Sequence, residues 1–451
     1  MAQLDTNIVV AALPSIGREL GAPAAVAWVT AGYLLTVTVS TPIHAKLGDL
    51  LGRRFVFVLS LAVFGIGSLA CASAPSMPAL IAARALQGIG GGGLVVTAIS
   101  ALGEMFDRDE LIRRQIWLTS VTAISALAGP PVGGLLAAGP GWRWIFLVNP
   151  PVCIVALVLA ARGLPRRHQT GALAAFDTLG AILIAMVGGG IVALGSSHAL
   201  ATSPLWAPLI AVGVLAAIIA FVHTERRARS PLIPPSLFTV PTLARSITVT
   251  GLTGIALFGT FTFIPLAIQA GTGADGGRIG TLLLALTLGQ HAVTTTFAVL
   301  ARRHPQLTVW GRLGLVLGTV GLSLIAAVPV LPTHASPLPT VLAIIGMALA
   351  GAALGLSMQA YTLLAQTTAP HDSFGAAMGT LTFARQLGGS LGTAAFGWLL
   401  LTIPDRDRAL TVVLAAAAII IAAAIPYAPR RKTPASDDTR VQTQPAQQAK
   451  S

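Results

Sequence analysis

The stretch AKLGDLLGRR, residues 45–54, sets Lys46, Asp49, Arg53 and Arg54 among glycines, between the apolar runs 27–47 and 54–74. Each run holds about 20 residues, which at roughly 1.5 Å per residue matches the roughly 30 Å hydrocarbon core of a bilayer. The stretch therefore reads as a charged turn joining two helices that cross a membrane. Its glycines permit a tight turn, and Asp49 supplies an anion suited to a helix N-terminus.

The same alternation of apolar run and charged break continues outward along the chain. Of 451 residues 54% are hydrophobic and 10% charged, and the mean hydropathy is +0.80, more apolar surface than a water-soluble globule can bury. Cutting at the breaks gives spans 1 to 14 at 4–20, 27–47, 54–74, 78–103, 113–138, 143–163, 176–197, 205–223, 243–269, 279–300, 308–329, 339–364, 373–402 and 409–428. The fold class is all-α and polytopic. An even number of crossings places both termini on one side. Alternate connections carry Lys46, Arg53 and Arg54, then Arg108, Arg113 and Arg114, Arg162, Arg166 and Arg167, Arg226, Arg227, Arg229 and Arg245, and Arg302, Arg303 and Arg312. Against them stand only Arg18, Arg143, Arg278, Arg406 and Arg408. The positive-inside rule makes the richer side, with both termini, cytoplasmic in a cell membrane. After Tyr427 the chain turns polar and rich in Pro and Gln, and 429–451 reads as a disordered cytoplasmic tail.

Composition also excludes functions. The net charge of +13 is scattered in short loop clusters, so it reports topology rather than a nucleic-acid partner. The only lysines are Lys46, Lys432 and Lys450, none in a P-loop setting, and the eight histidines show no metal-ligand spacing. Neither ATP hydrolysis nor zinc chemistry is expected, and with Cys71 and Cys153 alone no disulfide framework is implied. No secretory leader is evident. The chain reads as no enzyme and as needing no cofactor, with energy supplied by a gradient or by a partner.

The stretch at 45–54 resembles motif A of the major facilitator superfamily, and other motifs place the chain near that family's fourteen-span drug:proton antiporter branch. Gly48, Asp49, Gly52, Arg53 and Arg54 occupy motif A positions, with Ala45 replacing its first glycine and Leu50 its internal arginine. The resemblance implies that Asp49 meets the start of span 13 near Ser373 as a conformational switch; the bland alternative is a turn that only sets topology. LIAARALQGIGGGG in span 4 is similar to motif B, in which Arg84 takes part in proton transfer with Gln87 on the same face; a structural arginine is the alternative. SALAGPPVGG in span 5 resembles the antiporter motif C through Gly129, Pro130, Gly133 and Gly134, a proline-kinked hinge, with an ordinary packing helix as the alternative. WRWIFLVNPP matches the branch's entry to span 6, and FARQLGGSLG its span 13.

The resemblance implies the major facilitator fold. Two six-helix bundles of inverted repeats, 1–163 and 243–428, flank a linker, 164–242, that carries two extra helices. The expected function is proton-coupled antiport exporting drug-like or amphipathic small molecules, cationic ones included. The partners are then a small-molecule substrate, protons and the lipid bilayer, and a monomer suffices. A symporter or uniporter of a small solute and a transport-inactive sensor are the alternatives, and motif C argues against the first of these.

Only Asp5 among the acids lies inside the N-terminal bundle, so it is the candidate proton group beside Arg84, with a helix N-cap as its alternative. Arg84 and Arg385 are the charges buried within spans, which a bilayer penalises unless they face protein or a cavity. Asp5, Gln87, Gln269, Gln290, His291, Gln359, Tyr361 and Arg385 are candidates for the substrate cavity, though any of the polar ones could instead form an interhelical hydrogen bond. Span 1 resembles the branch through Leu4, Asp5, Ile8, Val9, Ala12, Leu13, Pro14 and Ile16. In the family the acid lies deeper in its helix, whereas here about 6 Å of helix precedes it. The expectation is a true start upstream of Met1.

Overall fold

The computed structural model describes residues 2–22, 25–106, 132–164, 177–196, 205–228, 230–260, 276–304, 306–327, 338–370, 373–403 and 405–429, with Ser203 and scattered helical positions between 110 and 129. Pro130, Gln269 and the tail from 430 lie outside the described residues.

The N-terminal part holds α1 (Ala2–Glu19), α2 (Val26–Leu51), α3 (Arg53–Ala72), α4 (Met77–Met105), α5 (Arg143–Leu147) and α6 (Asn149–Gly163). Two more helices follow, α7 (Thr178–Ser196) and α8 (Trp206–Arg227). The C-terminal part holds α9 (Pro241–Thr253), α10 (Gly276–Arg303), α11 (Leu307–Ala327), α12 (Leu338–Thr368), α13 (Phe374–Thr402) and α14 (Arg406–Ala424). Among the described residues seven helical segments are long and apolar enough to cross a membrane, Arg53–Ala72 with a mean hydropathy of 2.4 among them. Much of α8 faces outward, with Leu209, Val212, Leu215 and Ile219 exposed, as a lipid-facing helix requires.

Local sequence explains the joints. Gly52 alone separates α2 from α3 and does so at φ 88°, a conformation that costs an L side chain and not glycine. Ser76 opens α4 by accepting a hydrogen bond from the Ala79 N–H, with Pro78 in the first turn, where its missing N–H is no loss. Span 6, read as one rod, is interrupted at Val148; Pro150 and Pro151 lack N–H groups and restrict the residue before them.

α4 lies against both α2 and α3, and its glycine run sets how close they come. A Cβ at Gly90 would strike the backbone of Ser60 and Phe64 on α3, and one at Gly92 would strike that of Val37 on α2. Helices that press backbone to backbone need such small residues, because lipid offers no hydrophobic drive between them. In the C-terminal part α12 lies in the same way between α10 and α11, with Gly351 against the Leu286 carbonyl and Gly346 against that of Gly321. α7 packs on α8 and also touches α2 and α13, so α7 bears on both parts. A π-helical turn, Gly254–Phe258, extends α9 beside α13.

Candidate functional site

The N-terminal part builds a polar centre in its apolar interior. α1 is tied near both ends: Glu19 accepts from Trp142 Nε1 at 2.8 Å and pairs with Arg143, while Asp5 points inward and is 1% exposed. Asp5 Oδ2 accepts from Arg84 Nη1 at 2.6 Å. Its other oxygen accepts from Asn149 Nδ2 at 2.7 Å and Gln87 Nε2 at 3.1 Å. Arg84, fully buried on α4, also donates to Gln87 Oε1 at 2.6 Å and to the Val29 carbonyl at 3.4 Å. Its guanidinium stacks 4.1 Å from the Tyr33 ring centroid. Ser68 receives the second amide protons of Asn149 and Gln87 and donates to the Phe146 carbonyl at 2.8 Å.

Both carboxylate oxygens and most of the guanidinium donors are thus engaged in a setting where unpaired charge is costly. The pair is neutral as a unit. A proton arriving at Asp5 would remove the carboxylate from Arg84 and leave the guanidinium to Gln87, the Val29 carbonyl and Tyr33. Ionisation at this one carboxyl therefore changes the charge balance of the whole centre.

Asn149, Ser68 and Tyr33 were not among the candidates read from the sequence. Asn149 carried a signal inside WRWIFLVNPP: a carboxamide in an apolar span needs a partner that lipid does not provide. Ser68 and Tyr33 carried none.

A second constellation joins the two parts beside the tight turn at Gly52; the rest of 45–54, read from the sequence as a turn, is helical. Asp49 accepts from the backbone N–H of Gly375 at 2.9 Å and of Ala376 at 2.8 Å, in the first turn of α13, and pairs with Arg53 at 2.7 Å. An anion at a helix N-terminus meets both unpaired N–H groups and the positive end of the dipole. Arg53 in turn pairs with Glu104 at 2.7 Å and lies 5.7 Å from the Phe374 ring centroid. Glu104 is a partner that motif spacing did not indicate. Arg54 reaches the Leu164 carbonyl at 3.4 Å. Gly48 lies beside Arg53, and Gln366 on α12 donates to the Ile99 carbonyl of α4 at 3.3 Å. In this conformation the two parts are bound together on the side of this turn.

The remaining candidates scatter. Gly129 and Gly133 are buried and Gly134 is exposed. Gln290 and His291 are half-buried on α10, where the Gln290 carbonyl accepts from Thr294, and Gln359 is half-buried on α12. Tyr361 and Arg385 come together at a small cavity in the C-terminal part. Among the described residues no three His, Cys, Asp or Glu side chains form a metal site.

The sequence matches the Major Facilitator Superfamily over residues 1–171 and 166–393, and the chain belongs to that superfamily. An uncharacterized MFS-type transporter of Mycobacterium tuberculosis is 33% identical over 410 residues, 90% of this chain and 58% of the relative. The chain thus spans less than two thirds of that relative's length. The multidrug transporter protein MdtP of Bacillus subtilis is 30% identical over 401 residues, 87% of this chain and 72% of its own. In fold, the human organic anion transporter MFSD10 superposes with a TM-score of 0.69 at 15% identity, covering 94% of this chain and 96% of the other. The family and these relatives are transporters, not enzymes.

Proposed function

We propose that the chain is a proton-coupled antiporter that exports drug-like or amphipathic small molecules across the cytoplasmic membrane, working by alternating access. In this reading it crosses the membrane fourteen times with both termini in the cytoplasm. Two six-helix bundles of inverted repeats, 1–163 and 243–428, rock about a midplane cavity, and α7 and α8 are the inserted pair. No cofactor enters; the proton gradient supplies the energy.

The observation that carries the reading is the buried pair of Asp5 and Arg84, 2.6 Å apart. Asp5 takes a proton from outside, which frees Arg84 from its carboxylate and shifts the balance between conformations. Substrate binding and inward opening return the proton to the cytoplasm. Asp49 and the start of α13 form the latch that holds the cytoplasmic side shut meanwhile. Each inward proton supplies about 2.3 kcal/mol per 100 mV of membrane potential, enough for tens-fold accumulation against a gradient. The likeness to MdtP, a multidrug transporter by name, supports the export reading.

The test is expression in an efflux-deficient bacterium, with accumulation of a panel of dyes and antibiotics followed with and without an uncoupler. Lower accumulation that the uncoupler restores is the expected result. Accumulation unaffected by expression across the whole panel would remove the exporter reading.

A further inference from the structure

The C-terminal part contains a small cavity whose lining carries one charged group, the Arg385 guanidinium. Thr250, Thr253, Ser357, Tyr361 and Arg385 line it, with Met358 and Leu354 as apolar wall. Thr253 and Ser357 spend their hydroxyl protons on the Val249 and Ala353 carbonyls of their own helices. Three donors are left over. Among the described residues the Arg385 Nε–H, the Tyr361 hydroxyl and the Thr250 hydroxyl are buried without a hydrogen-bond partner, although Tyr361 is 1% and Thr250 4% exposed. Arg385 donates from Nη2 to Thr362 Oγ1 at 3.2 Å, a neutral acceptor.

Nothing in the lining helices balances that guanidinium. The sequence has no Asp or Glu in 226–274, 276–371 or 373–404, so α9, its π-helical extension, α12 and α13 carry no acid. The buried acid of the other part, Asp5, is already matched by Arg84. A half-buried cation with a buried, unpartnered Nε and no counter-charge is costly, and a ligand that supplies the charge relieves that cost. The wide π turn at Gly254–Phe258 brings α9 against the backbone of Arg385, and such turns recur at functional sites.

We propose that this cavity binds an anionic group, a carboxylate or sulfonate, which Arg385, Tyr361 and Thr250 hold together by hydrogen bonds. The exported compounds are then amphiphilic acids or zwitterions rather than simple cations. The binding claim stands on the cavity alone, and its assignment to the exported substrate rests on the exporter reading above.

A matched series of dansyl probes tests it on the purified full chain in detergent: dansylglycine as anion, dansylamide as neutral form and N-dansylethylenediamine as cation, titrated by fluorescence. Dansylglycine should bind most tightly. Arg385→Gln should weaken it by about ten- to a hundred-fold, as expected for lost charge-assisted hydrogen bonds, and leave dansylamide unchanged. Arg385→Lys should fall between, and Tyr361→Phe should weaken the anion alone by several-fold, so the site is read even if Arg385→Gln does not fold. An equal loss for all three probes, or dansylglycine affinity within twofold of wild type in Arg385→Gln and Tyr361→Phe, overturns the site. Counterflow of dansylglycine in proteoliposomes separates the two claims: Arg385-dependent binding without counterflow keeps the anion site and removes its assignment to an exported substrate.

Discussion

Replacing Asp49 by Asn tests the latch at the level of individual hydrogen bonds. The wild-type carboxylate receives the N–H groups of Gly375 and Ala376 on separate oxygens, 2.9 and 2.8 Å away, and holds Arg53 at 2.7 Å. The carboxamide in its place keeps one acceptor oxygen, turns an NH2 group toward the second N–H, and gives up the charge that faces the dipole of α13. Hydrogen bonds to a charged group are worth about 1.5–3 kcal/mol each, and the helix-end charge adds about 0.3–1 kcal/mol. Losing one bond and the charge should cost the closed cytoplasmic side about 2–4 kcal/mol, which is roughly a 30- to 1,000-fold shift toward the open form. Amide hydrogen exchange reads this directly, because the latched N–H groups are themselves the probes. Peptides covering the start of α13 should exchange faster in Asp49→Asn by at least the lower figure, while peptides from the middle of α12 keep wild-type rates. Exchange within twofold of wild type at 374–378 would refute the latch, and equal acceleration everywhere would show general destabilisation instead.

Other outcomes follow from the same geometry. Arg84→Lys should lose uncoupler-sensitive efflux by about tenfold or more at unchanged membrane levels, because an ammonium cannot bridge Asp5, Gln87 and the Val29 carbonyl while stacking on Tyr33; retained efflux would contradict that role. Asn149→Ala removes the 2.7 Å donor that holds Asp5 in place and should lower uncoupler-sensitive efflux several-fold at unchanged membrane levels, as expected for a lost hydrogen bond to a charged group. Wild-type efflux in Asn149→Ala would place Asn149 outside the coupling centre. Gly90→Leu should sharply lower yield and melting temperature, because the side chain meets the α3 backbone and overpacking costs about 1–3 kcal/mol or more. An unchanged melting temperature would argue against that close approach.

The helices were legible because apolar runs of bilayer length between charged breaks have few other readings. The break between α5 and α6 was written in Pro150 and Pro151, yet it was hidden by reading hydropathy alone. The site was legible in part. Arg84 and Asp5 stood out as charges in apolar surroundings, but their pairing spans 79 positions of sequence and no local period encodes it. The sequence likewise left Asp5 between an N-cap and an interior acid; its contacts with Arg84, Gln87 and Asn149 put the carboxylate in the interior. Ser68 was invisible, since a serine within an apolar span reads as a packing residue until its neighbours are known. Arg385 showed the reverse case. The missing acid was plain in the sequence, whereas the cavity that gives it meaning depends on how α9, α12 and α13 meet.

Proton and substrate compete through Asp5 in the proposed cycle. Adding a transported dye to the purified protein in weakly buffered detergent solution and recording pH reads that competition without intermediary steps. Saturable proton release on dye binding is expected in the wild type and none in Asp5→Asn, with dye binding itself retained. Equal release from Asp5→Asn, or none from the wild type at saturating dye, would contradict it.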